Sequence, residues 1–314
     1  MGAEVHAGTT GELDSLLRFR PSPASPVVVH LPRSFDLRDP AAQQRILELA
    51  AHGAGRVYGL LLHDHPDMAV RPAEYRQAAT ELDSRLQRIA HAPLVFVEYA
   101  ACLAVKLFAG FFESIRGLTR VSAAIDIGHV GIHQAQLAFG ARHPGADVCA
   151  LKTLPAGLPQ QMEDVEAAVG TALPAVLSLI DALGALGKPV HFHLHDGHPL
   201  SAFSEFGVCD HLSFLWHIPL PFEFRGRRSA RLMFGPRGLE RICARARQAI
   251  GPARASFSLE IHPQPGRLPL QDAAGFFSHW RDPANAERMN YWLSVLSENH
   301  VLLQAALASA NPSA

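Results

Sequence analysis

The chain has 314 residues, 48% hydrophobic and 18% charged, enough apolar material for one large core. Its 28 basic and 29 acidic residues give a net charge of −1, so no overall field draws it to a polyanion. The four cysteines, Cys102, Cys149, Cys209 and Cys243, stand far apart; this excludes a cysteine zinc site, gives no sign of a disulfide framework and points to a reducing cytosol.

No basic stretch followed by an apolar run opens the chain; Gly2, Glu4 and His6 stand there instead. No apolar run approaches the ~20 residues that a membrane span needs. A cytoplasmic protein without membrane attachment is therefore expected.

In chain order, Gly2–His6 reads as a first strand and Gly11–Arg18 as a short helix. The strand Pro26–His30, the helix Ala41–Ala51, the strand Arg56–His63 and the helix Pro72–Ala90 follow. Next come the strand Leu94–Glu98, the helix Ala101–Ser114 and the strand Val121–Asp126. A loop over about Ala141–Leu158 leads to the helix Gln160–Leu186 and the strand Pro189–His195. Beyond a second long loop, Pro199–Pro236, lie the helix Gly238–Ile250, the strand Ala255–Glu260 and the helix Asn285–Ala308. Long loops on such scaffolds often carry function.

Short apolar runs alternating with helical stretches are the pattern of βα units on a parallel sheet, whose buried strands read as continuous apolar segments. The expected fold is an α/β (β/α)8 TIM barrel in a single domain over residues 1–314. Its first strand is expected to be lacking or irregular. Leu212–Pro219, taken as an irregular strand, brings the count to eight at most.

Nearly every apolar run stops at a His, Asp or Glu, and the chain holds eighteen histidines. In such a barrel the strand ends converge on one rim. Carboxylates and imidazoles gathered there repel one another or lie unpaired unless a positive ion sits among them. Imidazole and carboxylate are the usual ligands of zinc, iron and manganese. Glu98 and Glu260 each follow an apolar run and read as ligand or catalytic base. Asp126 and His129 read either as ligands or as a capped helix start. His191, His193 and His195 alternate and so share one side of a strand, too many for all to be ligands. His30 and His63 are open between ligands and hydrogen-bonded rim histidines.

At Val97-Glu98, Asp126-Ile127-Gly128-His129, His193-Leu194-His195-Asp196-Gly197 and Leu259-Glu260 the chain resembles the xylose isomerase-like TIM-barrel superfamily. That superfamily holds sugar phosphate isomerases and epimerases, dehydratases and endonuclease IV-like enzymes. The pieces occur in the superfamily's order over roughly Val27 to His262. The resemblance implies a divalent metal (Mn, Zn, Fe, Mg or Co) on Glu98, Asp126, His193 and Glu260, with Glu98 and Glu260 also acting as acid and base. Multinuclear members add histidines that match His30, His63 and His129. They also carry an Asp-x-His, whereas here Asp210 and His211 are adjacent.

The function so implied is isomerisation or epimerisation of a sugar-like polyol or keto substrate, by proton transfer through a metal-stabilised enediolate. Alternatives are a dehydratase or lyase, a multinuclear-iron oxidative enzyme and an endonuclease IV-like phosphodiesterase. The balanced charge argues against nucleic acid as a partner. Arg227 and Arg228 read instead as holders of a substrate phosphate or carboxylate. A small carbohydrate-like substrate is the expected partner, and a homo-oligomer is left open.

Overall fold

Parallel strands keep hydrogen-bonding neighbours in step, and this ladder brings distant residues of the chain side by side. The computed structural model describes residues 2–20, 22–145, 158–197, 211, 213–215, 223–224, 227–228, 232–261 and 286–309. Its strands are β1 (Ala3–His6), β2 (Val27–His30), β3 (Gly59–His63), β4 (Leu94–Glu98), β5 (Val121–Asp126), β6 (Val190–Leu194), β7 (Glu223–Phe224), β8 (Arg227–Arg228) and β9 (Ala255–Leu259). Seven of them form one parallel sheet in the order β1-β2-β3-β4-β5-β6-β9, while β7 and β8 make a separate antiparallel ribbon.

The helices are α1 (Thr10–Leu17), α2 (Pro40–Gly53), α3 (Asp67–Val70), α4 (Pro72–Leu86), α5 (Val105–Ser114), α6 (Ile127–Arg142), α7 (Leu158–Val169), α8 (Ala172–Gly184), α9 (Gly235–Ala249) and α10 (Ala286–Ser309). The expected α/β alternation is therefore present, with Ala3–His6 as a regular first strand paired in parallel with β2. The proposed irregular strand Leu212–Pro219 lies mostly outside the described residues.

The residues group into two compact units, and the division falls near the carboxyl ends of β5, β6 and β9, after Ile125, Phe192 and Ser258. The first unit holds α1 to α5 and all but the last residues of the sheet. Its register can be followed across the strands: Glu4 faces Val28, Val28 faces Gly59, Leu61 faces Phe96, and Phe96 faces Ser122. Because alternate residues share a face, these positions and those two residues on line one side of the sheet. Val28, Leu61, Phe96 and Ala124 form its apolar cluster. His191 lies on the same side, 5.5 Å from the Phe96 ring centre to centre. The sheet curls so that Glu4 of the edge strand β1 lies 3.3 Å from His191, which also meets Ser256 of the other edge strand, β9, at 2.8 Å.

The second unit contains α6, α7, most of α8, α9 and α10. Buried Ile127, Val130, Ile132, Ala135 and Phe139 of α6 supply part of its core. Asn299 of α10 accepts a hydrogen bond from the Phe214 amide at 3.0 Å.

Three elements differ from the sequence-based expectation. The helix α6 has buried positions nearly all round, so its sequence carries little of the amphipathic period that marks a surface helix. The helix expected from Ala101 starts at Val105, because Ala101 itself has left-handed backbone (φ 62°). The long helix expected over Gln160–Leu186 is divided into α7 and α8 at Gly170 and Thr171. Contrary to the expectation of no span-length apolar run, Glu163–Gly184 is long and apolar enough to cross a membrane. The division at Gly170 interrupts it, and Val165, Ala168, Val176, Leu179, Ile180 and Leu183 along it are buried.

Within the first unit, Asp83 joins a helix to a strand. This buried side chain of α4 accepts from the backbone amides of Arg120 at 2.5 Å and Val121 at 3.2 Å, where β5 begins. Asp83→Ala leaves two amides without their acceptor and is expected to destabilise the protein by about 2–4 kcal/mol. Asp83→Asn, which keeps an acceptor oxygen, should lose less. Urea unfolding of both variants checks this; an Ala variant as stable as the parent would show that the contact is dispensable.

Candidate metal centre

In the first unit, three strand ends meet. His30 closes β2, His63 closes β3 and Glu98 closes β4. His63 faces Glu98 in the ladder, and His30 faces Leu61, two residues before His63, so all three side chains share one face. His30 Nε2 lies 3.2 Å and His63 Nε2 3.5 Å from the same Glu98 oxygen, Oε2. The two rings meet edge to face at 4.8 Å. Glu98 is 1% exposed.

The protonation chemistry of this group is constrained. His30 Nδ1 lies 3.1 Å from the Leu31 carbonyl, which can only accept, so Nδ1 carries a proton. A neutral His30 therefore turns its Nε2 lone pair toward a carboxylate oxygen. Two acceptors 3.2 Å apart repel, so either a second proton or a cation belongs between them. The donor set of two imidazoles and one carboxylate suits a divalent transition metal, and the donation from Nδ1 to a carbonyl is the orienting contact that metal-binding histidines use.

The second unit carries the other group. Asp126 ends β5 and caps α6: its Oδ1 accepts from the His129 amide at 2.8 Å, while Oδ2 lies 3.2 Å from His129 Nδ1. The capped-turn reading of Asp126 therefore holds, and both of its oxygens also meet imidazoles. His195 Nε2 sits 2.8 Å from Asp126 Oδ1. His193 Nδ1 is 2.9 Å from Glu260 Oε2, and His211 Nε2 is 3.4 Å from Glu260 Oε1. One donor atom from each of Asp126, His195, His211 and Glu260 lies within 4.8 Å of the others. Asp126, His193 and His195 are fully buried, and the Glu260 side chain is 20% exposed.

Within the first unit the structure brings together His30, His63 and Glu98, and within the second Asp126, His129, His193, His211 and Glu260. Asp210 lies outside the described residues. His191 is not at a strand end: it hydrogen-bonds Ser256 and pairs with Glu4 deeper on the sheet. His195, which sequence reasoning left among three alternating histidines, is the one bonded to Asp126. His211 has left-handed backbone (φ 50°), a conformation uncommon outside glycine that often marks functional positions.

Two aspartates that receive no role from the sequence, although Asp196 lies in one of its motifs, brace these groups, each directly after a histidine. Asp64 follows His63, its amide donating to the Glu98 carbonyl at 2.8 Å and its carboxylate accepting from Ala100. Asp196 follows His195 and accepts from the amides of Gly197, Phe234 and Gly235 at 2.6–3.0 Å. Burial pushes both carboxyls up to about 6. The repeated pair, His63-Asp64 and His195-Asp196, was the available signal.

No family model matches the chain, and no curated protein or solved structure matches it either.

Gly128 gives a direct test of the second group. A Cβ there would lie 1.9–2.8 Å from three atoms of the His195 ring, so only glycine lets the imidazole sit against α6. Gly128→Ala should displace His195 and cost about 1–3 kcal/mol of stability, the usual scale of overpacking. If the group holds a cation, the part of the melting temperature lost on adding chelator should shrink in the variant. A chelator-dependent shift equal to the parent's would separate His195 from metal binding.

Proposed function

We propose that the chain is a metal-dependent isomerase or epimerase of a sugar-like polyol or keto compound, built on a (β/α)8 barrel of the xylose isomerase-like kind. The observation that carries the reading is the burial of imidazoles and carboxylates at the carboxyl ends of parallel strands, where enzymes of this architecture place their chemistry. The parallel sheet and the motif order support the scaffold.

A bound divalent ion would supply Lewis acidity toward a substrate carbonyl and its neighbouring hydroxyl. His30, His63 and Glu98 are the holders in the first unit; Asp126, His193, His195, His211 and Glu260 are those in the second, with His129 against Asp126. Glu260 is the more accessible of the two glutamates and is assigned to take the proton at the reacting carbon. Glu98 is nearly sealed from solvent and joins the proton exchange through its contacts with His30 and His63. A dehydratase or lyase would use the same groups and differ only in what leaves.

The His30–His63–Glu98 group favours a second reading with more than one ion, as in an iron-dependent oxidative enzyme or a phosphodiesterase. Metal identity separates them: tightly held iron in both groups favours oxidation, and activation by manganese, magnesium or cobalt favours the isomerase.

Protein purified without chelators or a histidine-rich tag is expected to contain at least one transition metal per chain, and chelation should lower its melting temperature by removing a ligand of the folded state. His63→Ala should lower the metal content. Metal-free protein of undiminished stability and activity would overturn the reading, and a His63→Ala variant with full metal content would remove the first group from it.

Glu→Gln keeps volume and an acceptor oxygen but removes basicity. Glu98→Gln and Glu260→Gln should each lower turnover by about 10²-fold or more, the ordinary scale of acid–base catalysis. Exchange of solvent deuterium into the carbon beside the substrate carbonyl is the readout. Full-rate exchange in both variants would mean that neither glutamate moves the proton.

A further inference from the structure

A cavity of about 370 Å³ opens beside the first group, lined by His6, Ala7, Gly8, Thr9, Glu12, His30, Pro32 and Arg45. All eight residues belong to the first unit. His30 is shared: one imidazole borders the cavity and also contacts Glu98. The volume lies at the small end of the range for small-molecule sites.

The wall at α1 is firmly built. Thr9 and Glu12 form a capping box, Thr9 Oγ1 accepting from the Glu12 amide at 3.2 Å and Glu12 Oε2 from the Thr9 amide at 3.0 Å. The same Oε2 accepts from the Gly8 amide at 2.8 Å. A Cβ on Gly8 would lie 2.8 Å from Pro32 Cγ, so glycine lets this loop close against the loop after β2. The amides of Gly8, Thr9 and Glu12 are thus satisfied within this wall. The cation in the lining is Arg45, on α2. Among the described residues it makes no ion pair or hydrogen bond, unlike Arg38, which meets Asp36, Asp67 and Glu74.

We infer that Arg45 anchors the acidic group of a polyhydroxy monocarboxylate, a sugar acid, whose hydroxyl end then reaches His30 and the cation group beyond it. The inference deepens the proposed function and rests on it for the hydroxyl end only. The guanidinium presents paired donors that match a carboxylate. The charge balance selects one negative charge over two. Hydrogen bonds from the Gly8 amide and from Thr9 hold the Glu12 carboxyl below its ordinary range, so the cavity already carries one anion. A carboxylate offsets Arg45; a phosphate dianion adds a charge opposite Glu12. Glu12 also offers a carboxylate acceptor for a substrate hydroxyl.

The test is calorimetric titration of the full chain as purified with three probes: gluconate, glucose 6-phosphate and neutral glucose. Gluconate is expected to bind at least roughly tenfold more tightly than either of the others, the scale of one hydrogen bond to a charged group. Arg45→Ala should abolish that preference while leaving metal content unchanged, and Arg45→Lys should restore part of it. Repeating the gluconate titration on chelator-treated protein separates the two claims. Arg45-dependent binding that persists without metal supports the anchor even if the metal reading fails. Preference for glucose 6-phosphate, equal binding of all three probes, no binding of gluconate, or a gluconate preference that survives in Arg45→Ala would each overturn the inference.

Discussion

A buried carboxylate must be compensated, and two of them govern this molecule. Glu98 is 1% exposed and Asp126 is 0% exposed, each at the end of a strand with an apolar face behind it. Histidines stand against both: His30 and His63 against Glu98, and His129, His195 and, at 4.0 Å, His193 against Asp126. Imidazole is unlike Lys or Arg in this setting, since near neutral pH it is close to its own titration and does not guarantee a positive charge. The negative charge is balanced either by taking up protons or by holding a cation. An arginine at either place would have made a fixed structural ion pair. Histidine leaves the charge exchangeable, and that is the physical case for a metal centre.

The surroundings are organised to hold those imidazoles in place. Asp64 and Asp196 each fasten the chain just past a histidine to a neighbouring segment through backbone amides. Burial raises both carboxyls, and the amide donors work against that rise. Gly128 contributes by omission, leaving room for the His195 ring against α6. Loops are thereby given the rigidity that a functional constellation needs from its support.

How far the sequence could be read depended on which physical signal each segment carried. The strands β4 and β5 begin and end where the apolar runs Leu94–Glu98 and Val121–Asp126 do, because a buried parallel strand is apolar on both faces and stops where the chain meets polar chemistry. The same logic located His30, His63, Glu98, Asp126 and Glu260. It failed for α6, whose burial nearly all round erases the helical period, and for the break at Gly170 between two apolar helices. Alternation placed His191, His193 and His195 on one side of a strand but carried no information on depth. Depth decides their roles: His191 meets Ser256 and Glu4 within the sheet, and His195, four residues on, meets Asp126. Arg45 had no local signal at all, because its importance comes from a cavity assembled by α1, α2 and two strand ends.

The contacts of His191 also bear on how the sheet of the first unit is held in its curl. β1 and β9 are its two edge strands, and no hydrogen-bonded ladder joins them among the described residues. An open edge is a liability, since its backbone groups invite pairing with another chain. Here side chains bridge part of the gap: His191 takes Ser256 and Ser258 from β9 and Glu4 from β1, all within 3.3 Å. These are polar contacts in a setting where apolar packing would have given more stability with less specificity. An apolar residue at 191 could fill the space but could not tie Glu4 of β1 and Ser256 of β9 to one side chain. Hydrogen bonds to Glu4, Ser256 and Ser258 tie His191 to both strands. The ladder between β1 and β2 continues from there: His6 and His30 face each other two residues beyond Glu4 and Val28. The polar layer inside the sheet is therefore a positioning device for the residues at its end, and the site and the scaffold are continuous through His191.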